Sequence, residues 1–179
     1  SDPAPARRDF SKFIEKEFSD CADFESRALS AGGTSLTLFY LDGCVSAEQI
    51  SDEIVHPLSR LRARSESALL EDALKGGIWA CTVRKRTSCA DAVSDIAAGY
   101  AALVFDDEHT ALTFEVKTGD KRGVDAPTVE KSVLGAKDAF VESVRVNTAL
   151  LRRRVGKPAL KLWETMVGSK TKTKVDILY

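Results

Sequence analysis

The sequence contains no apolar run approaching the roughly 20 residues needed to cross a bilayer. Its longest candidates, such as Leu36 to Leu41, are strand-sized. The opening residues, Ser1 to Arg8, lack the apolar stretch of a secretory leader, so the expectation is a soluble chain. Methionine occurs once, at Met166, and a strand-like alternation runs through Lys174, Val175, Asp176 and Ile177 up to Tyr179. Together they lead us to expect a fragment of a larger protein. Histidine is scarce: His56 and His109 share no metal-ligand spacing, and no Ser-His or Cys-His arrangement is visible. The four cysteines, Cys21, Cys44, Cys81 and Cys89, include no Cys-x-x-Cys pair. They read as small core hydrophobes in a reducing compartment rather than as a disulfide framework or zinc site. These absences argue against an enzyme, a structural metal or a cofactor.

What is present suits a soluble globular protein. Of 179 residues, 30% are charged and 44% hydrophobic. The net charge of −1 hides an asymmetry, since residues 145–179 hold nine Lys and Arg against Glu164 and Asp176. That pattern implies either an anionic partner for the last third or attraction between the two parts of the chain.

Along the chain, Phe10, Phe13, Ile14 and Phe18 have the spacing of one helical face. Phe24 to Leu29 and Ser35 to Leu41 read as a hairpin across Gly32-Gly33. Ser46 with Gln49 makes a capping box for a helix along Ile50, Ile54, Leu58 and Leu61, which Pro57 should kink or end. Ser65 to Lys75 is a second helix, stopped by Gly76-Gly77, and Ile78 to Val83 a strand. Ser88 with Asp91 opens a helix closed by Gly99. Leu103 to Phe105 and Ala111 to Val116 form a hairpin, Val129 to Leu134 a further strand, and Lys137 to Val155 a long helix. Leu160 to Val167 with Lys172 to Tyr179 gives a last hairpin, with that helix packed on it. No internal repeat or coiled-coil heptad is evident. The expected fold is a layered α/β (α+β) domain: a mixed β-sheet that includes the C-terminal hairpin, flanked by helices. Residues 1–19 form an N-terminal segment with a short helix, and residues 20–179 one domain.

In the long helix, Phe140, Val144, Leu151 and Val155 cluster on one side, which we take as inward. Asn147 and Arg154 fall inside that arc, so both are expected to be buried and hydrogen-bonded outside their own helix. Glu142, Arg145 and Arg153 fall on the outer face, with Arg152 at its edge. The lysines Lys170, Lys172 and Lys174 alternate, which would align them on one face of a strand. A basic surface of Arg145, Arg152, Arg153 and these lysines suits an anionic membrane or a protein partner. It does not suit nucleic acid, because no aromatic residues are interleaved for stacking. Gly168-Ser169-Lys170-Thr171 lacks the earlier glycine and the following helix of a phosphate-binding loop.

The run from Gly135 to Arg154 carries Phe140-Val141-Glu142 and then Arg145-Val146-Asn147-Thr148-Ala149-Leu150-Leu151-Arg152-Arg153-Arg154. It is followed by Val167-Gly168-Ser169-Lys170-Thr171-Lys172-Thr173-Lys174-Val175 and preceded by Tyr40-Leu41-Asp42-Gly43. This pattern resembles the soluble N-terminal region of the spore germination protein A family, the A subunits of nutrient germinant receptors. Ala136 and Ala139 depart from a usual proline and glycine, as in a divergent member or a paralogue such as the stage V sporulation protein of that family. The resemblance implies a non-enzymatic piece of a membrane protein on the cytoplasmic face of the spore inner membrane. It would act in nutrient-triggered germination through assembly with other receptor subunits and scaffold proteins and through signal transduction. It also implies that Phe140, Glu142, Asn147 and Arg154 are signature positions; their place inside the apolar arc makes Asn147 and Arg154 the expected structural clamp. The alternative is a domain that senses a germinant or anion in a cleft along Asn147 and Arg154.

Overall fold

A computed structural model of the chain describes residues 10–78, 82–116 and 143–179. The first helix, α1 (Phe10–Glu17), leads into strands β1 (Phe24–Ala31) and β2 (Thr34–Leu41). A helical stretch follows as α2 (Ala47–Gln49), a wider π-type segment over Ile50–Val55, and α3 (His56–Arg60). Next come α4 (Glu66–Asp72), a second π-type segment over Ala73–Gly77, β3 (Val83–Arg86), α5 (Cys89–Ala97), β4 (Ala101–Phe105) and β5 (Thr110–Phe114). Helix α6 (Val144–Val155) and strands β6 (Leu162–Val167) and β7 (Thr173–Leu178) complete the described elements.

Five strands form one sheet in the order β1-β2-β4-β5-β3, every neighbouring pair antiparallel. Its two faces follow from strand parity. Leu36 and Leu38 of β2, Leu103 and Phe105 of β4, and Leu112 and Phe114 of β5 face one way. They pack with Ile50, Ile54, Leu58, Leu69 and Leu70 from the helices after β2. Phe39, Leu41, Ala102, Val104 and Ala111 face the other way, against Phe10, Ile14, Ala92, Val93, Ile96 and Ala149 from α1, α5 and α6. Strands β4 and β5 are buried along their whole length. The layered α+β architecture is therefore present, with helices on both faces.

The C-terminal hairpin forms where expected, but as a two-stranded sheet of its own rather than an extension of the main sheet. An isolated parallel bridge, Cys21 to Leu162, links its backbone to the chain ahead of β1. The edge strands carry the charges: Glu25 and Arg27 in β1 and Arg84 and Lys85 in β3 are exposed.

Local chemistry set most boundaries. The hydroxyls of Ser46, Ser65 and Ser88 accept the N–H groups of Gln49, Ala68 and Asp91 at 3.3, 3.3 and 3.4 Å, as N-cap residues do. The helix does not end at Pro57. Proline lacks an N–H, and its ring crowds the carbonyl four residues back. Ahead of Pro57 the chain widens, so that the His56 N–H reaches Ser51 O, and the helix then runs on to Arg60. Of the strand expected over Ile78 to Val83, only Val83 lies in a strand, β3, which runs on to Arg86; Ile78 and Thr82 are outside it, and residues 79–81 lie outside the described residues. The strand Val129 to Leu134 also lies outside them. The described helix begins at Val144: Ser143 has extended backbone, and its carbonyl accepts the Asn147 N–H at 3.2 Å, while the part of the expected helix from Lys137 to Glu142 lies outside the described residues. It closes at Gly156, whose φ of 57° is left-handed and whose N–H returns to Arg152 O at 2.7 Å.

The turn between β4 and β5 is held from both helical layers. Ser11 at the start of α1 donates its N–H and hydroxyl to the Asp106 carboxylate at 2.9 and 2.6 Å. Glu66 of α4 accepts the Asp107 N–H at 2.9 Å.

Candidate functional site

The signature helix does not present its apolar arc to the core. Its inward residues are Thr148, Ala149 and Arg152, with Arg145 half-buried. These four recur at i, i+3, i+4 and i+7 and span about 100° in projection. Val144, Val146 and Val155 are among the exposed large apolar residues. The helix is thus turned by about one residue from the orientation its hydrophobic pattern predicts. Arg154, expected to be buried, is exposed, and Asn147 is half-buried. Arg152, expected at the edge of the outer face, is 1% exposed. Phe140 and Glu142 lie outside the described residues.

Arg152 explains the rotation. Its Nε and Nη2 donate to the two oxygens of Asp23, at 2.9 and 2.6 Å, and its Nη1 donates to Leu160 O. Asp23 is itself fully buried. Burial alone would lower the guanidinium pKa, but hydrogen bonding and charge from Asp23 outweigh it and raise it. Cys21 Sγ also donates to Leu160 O, at 3.8 Å. One buried forked pair therefore ties α6 to the entrance of β1 and to the approach to β6. Apolar periodicity cannot reveal such a pair, because the deciding inward residue is the most polar type available.

Arg145 makes the second joint. Its Nε lies 3.2 Å from Asp42 Oδ2 and its Nη2 3.2 Å from Glu164 Oε2. Asp42 belongs to the Tyr-Leu-Asp-Gly strand end and Glu164 to β6, so Arg145 joins two segments of the sequence pattern to the C-terminal hairpin. Gly43 is required beside it: with φ at 82°, it passes so close that an added Cβ would lie 3.0 Å from Arg145 Cγ. Thr148 Oγ1 donates to Asp176 Oδ2 at 3.1 Å, and Lys174 Nζ reaches Glu164 at 2.7 Å. Of the two meanings of the charge asymmetry, attraction between the parts of the chain accounts for Arg145 and Arg152. Arg145, expected outside, is in the joint.

The three lysines do not share a strand face. Lys170 lies in the hairpin turn, Lys172 precedes β7 with φ at 46°, and Lys174 lies within β7. Arg153 is half-buried, with its Nε 3.4 Å from Ala149 O. Lys170 and Lys172 are exposed and remain open to a partner. Among the described residues, no group of three His, Cys, Asp or Glu is placed to hold a metal. No described helix is long and apolar enough to cross a membrane.

Cys44, next to Gly43, is fully buried. Burial, reinforced by the Asp23 charge, pushes its thiol from the ordinary 9.0 up to about 11. The unfolded chain therefore loses this proton first. The stability tied to the neutral thiol is complete below pH 9 and lost as pH rises through 11. At pH 8 native Cys44 should react with iodoacetamide at least about a hundredfold more slowly than in urea, since the thiolate is the reactive form. Peptide-resolved mass spectrometry would measure this, and equal rates would contradict it.

A profile described as "Bacillus/Clostridium GerA spore germination protein" matches residues 12–179. The chain is 33% identical over 161 residues to the uncharacterized membrane protein YfkQ of Bacillus subtilis (strain 168), covering 89% of this chain and 31% of that protein. It is 30% identical over 158 residues to stage V sporulation protein AF of the same organism, covering 88% and 32%. The chain thus spans about a third of the length of these relatives. Its fold matches the crystal structure of the N-terminal domain of the A subunit of the Bacillus megaterium spore germinant receptor GerK3. The TM-score is 0.68 at 22% identity, covering 94% of this chain and 62% of that one.

Proposed function

Because this chain belongs to the Bacillus/Clostridium GerA spore germination protein family, we propose that it serves as the N-terminal unit of a germinant receptor A subunit and works through protein contacts rather than catalysis. It would lie on the cytoplasmic face of the spore inner membrane, passing a nutrient signal to other receptor subunits. One observation carries the reading. Arg145 and Arg152, the signature charges nearest the core, are both used to join strands and helix into one unit, so the binding capacity lies on outer surfaces. The exposed basic end of the C-terminal hairpin, Lys170 and Lys172, is the contact we assign to a neighbouring subunit or anionic headgroups.

Charge reversal, Lys170→Glu with Lys172→Glu in the complete protein, should abolish co-purification with the other subunits from detergent-solubilised spore membranes. The denaturation midpoint should not move. Undiminished co-purification would remove this contact from the proposal.

A second reading, an anion- or germinant-sensing domain, draws support from an open hollow lined by Arg60, Arg62 and Arg64 with Gly32, Ser59 and Leu61. Thermal-shift measurements with amino acids, sugars and nucleotides separate the two. No shift is expected from an assembly module. A saturable shift that Arg62→Ala removes would instead place a sensor at the hollow.

A further inference from the structure

Arg60, Arg62 and Arg64 crowd the end of α3 and the link that leads to α4, and no acidic residue lies between Pro57 and Ser65. The chain ahead of residue 145 is acidic overall, so this basic segment runs against its surroundings. All three side chains are exposed. Arg84, Arg86, Arg145 and Arg152 each pair with a carboxylate. Among the described residues, Arg60, Arg62 and Arg64 pair with none. Like charges this close repel one another, and no described side chain relieves them.

The link is held from beneath. Leu61 and Ser65 have extended backbone, and burial alternates between them. Leu61 and Ala63 are half-buried against the core under the sheet, while Arg62 and Arg64 face outward. Two glycines let the link lie this close. Gly32, in the β1–β2 turn with φ at 58°, would drive an added Cβ into the Ala63 carbonyl oxygen. At Gly77 an added Cβ would lie 3.0 Å from Leu61 Cδ2. Arg62 and Arg64 are thereby presented on one side, roughly 7 Å apart along the chain. Among the described residues, their backbone N–H and C=O groups make no backbone hydrogen bond. The hollow that the arginines line, about 590 Å³ in volume, opens at the Gly32 end of β1. Asp23, Arg152 and the Cys21 bridge gather at the other end, roughly 20 Å away.

We propose that this row of arginines is the docking site for an extended acidic segment of a partner protein. Alternate carboxylates of that segment pair with Arg62 and Arg64, and Arg60 flanks them. The inference rests on the reading of the chain as an assembly module, and it adds a contact separate from Lys170 and Lys172. Charge complementarity selects the occupant. Side chains two apart on an extended partner repeat at the same interval as the two arginines. Each guanidinium fork can take a carboxylate in two parallel bonds. Arginine clusters read acidic motifs, and unpaired backbone takes up extended peptides. The rival occupants fit less well. A free amino acid or sugar would stay largely in solvent here, whereas small-ligand sites bury most of their ligand. A bilayer surface suits protruding charges, and these line a hollow. Nucleic acid would call for aromatic rings to stack on, and the lining has none.

Fluorescence anisotropy of a labelled peptide alternating glutamate and threonine tests this on the 179-residue protein. Saturable binding is expected, at least about fivefold tighter than for a peptide of the same composition with its glutamates grouped. Arg62→Glu with Arg64→Glu should abolish it. Arg62→Lys with Arg64→Lys keeps the charge but not the fork, and should weaken it several-fold. Neither pair should move the denaturation midpoint, because the side chains are exposed. Lys170→Glu with Lys172→Glu should leave peptide binding unchanged, so this site and the hairpin contact stand or fall separately. Absence of binding would overturn the proposal. So would equal affinity for the two peptides, or for the lysine variant and the original protein, since either would reduce the site to diffuse attraction. A thermal shift with amino acids, sugars or nucleotides that Arg62→Ala removes would give the hollow to a small ligand instead. Phosphatidylglycerol vesicles bound more tightly than the peptide, and released by the glutamate pair, would give it to a membrane.

Discussion

Arg152→Ala is expected to destabilise the protein by about 3–5 kcal/mol, the typical cost of removing one partner from a buried ion pair. The geometry gives the reason. Asp23 is fully buried and receives both prongs of the guanidinium fork. Alanine would leave a carboxylate without compensation, and Leu160 O would lose a charged donor. Arg154→Ala, two residues on and exposed, should change stability by no more than about 1 kcal/mol. Denaturant midpoints of the two variants decide the matter, and similar shifts would refute the buried-clamp reading. A third variant separates attraction from desolvation. Replacing the pair together, Asp23→Leu with Arg152→Met, should cost less than Arg152→Ala alone, because no charge is stranded.

A similar clamp holds the other side of the same helical layer, and Asp95→Ala should cost about 2–3 kcal/mol. Asp95 of α5 accepts Arg86 Nε at 2.7 Å and Nη2 at 3.1 Å, and the Thr113 hydroxyl at 2.6 Å. Its one carboxylate therefore fastens α5 to edge strand β3 and to its neighbour β5. The cost is set below that of Arg152 because Arg86 keeps 27% of its side chain in solvent and can rehydrate. The Asp95 hydrogen bond raises the Arg86 pKa; burial opposes it less strongly, and the Asp95 charge adds a smaller upward push. Hydrogen exchange should show the loss concentrated in β3, which among the described residues has a strand partner on one side only. Uniform loss across the sheet would mean that the clamp is not local.

The contrast between these clamps shows what the sequence could disclose. Hairpins, helix starts at Ser46, Ser65 and Ser88, and the burial of Leu36, Leu38 and Phe39 follow from alternation and cap chemistry. Both are local and need no knowledge of what lies opposite. The facing of α6 is not local. Its apolar residues point to Val144 and Val155 as inward, yet one forked bond to Asp23, 129 positions away, outweighs them. The resemblance pointed to this helix and strand end, but the apolar arc placed the clamp at Arg154, which is exposed, instead of Arg152. The clue in the sequence was the i, i+4, i+7 recurrence of Arg145, Ala149 and Arg152 beside a surplus of upstream carboxylates, a signal that hydrophobicity alone does not weigh.

The charged margins of the main sheet bear on how this protein behaves in concentrated solution. An open strand edge invites pairing with another molecule, and charge is a common guard against it. Here β1 offers Glu25 and Arg27 at one margin, and β3 offers Arg84 and Lys85 at the other. Edge-to-edge stacking into fibrils is thereby disfavoured at both ends of the five strands. Any self-association of the isolated protein would then begin at the small hairpin, where Trp163, Val167 and Ile177 are exposed, and it would be relieved by detergent or mild chaotrope rather than by salt.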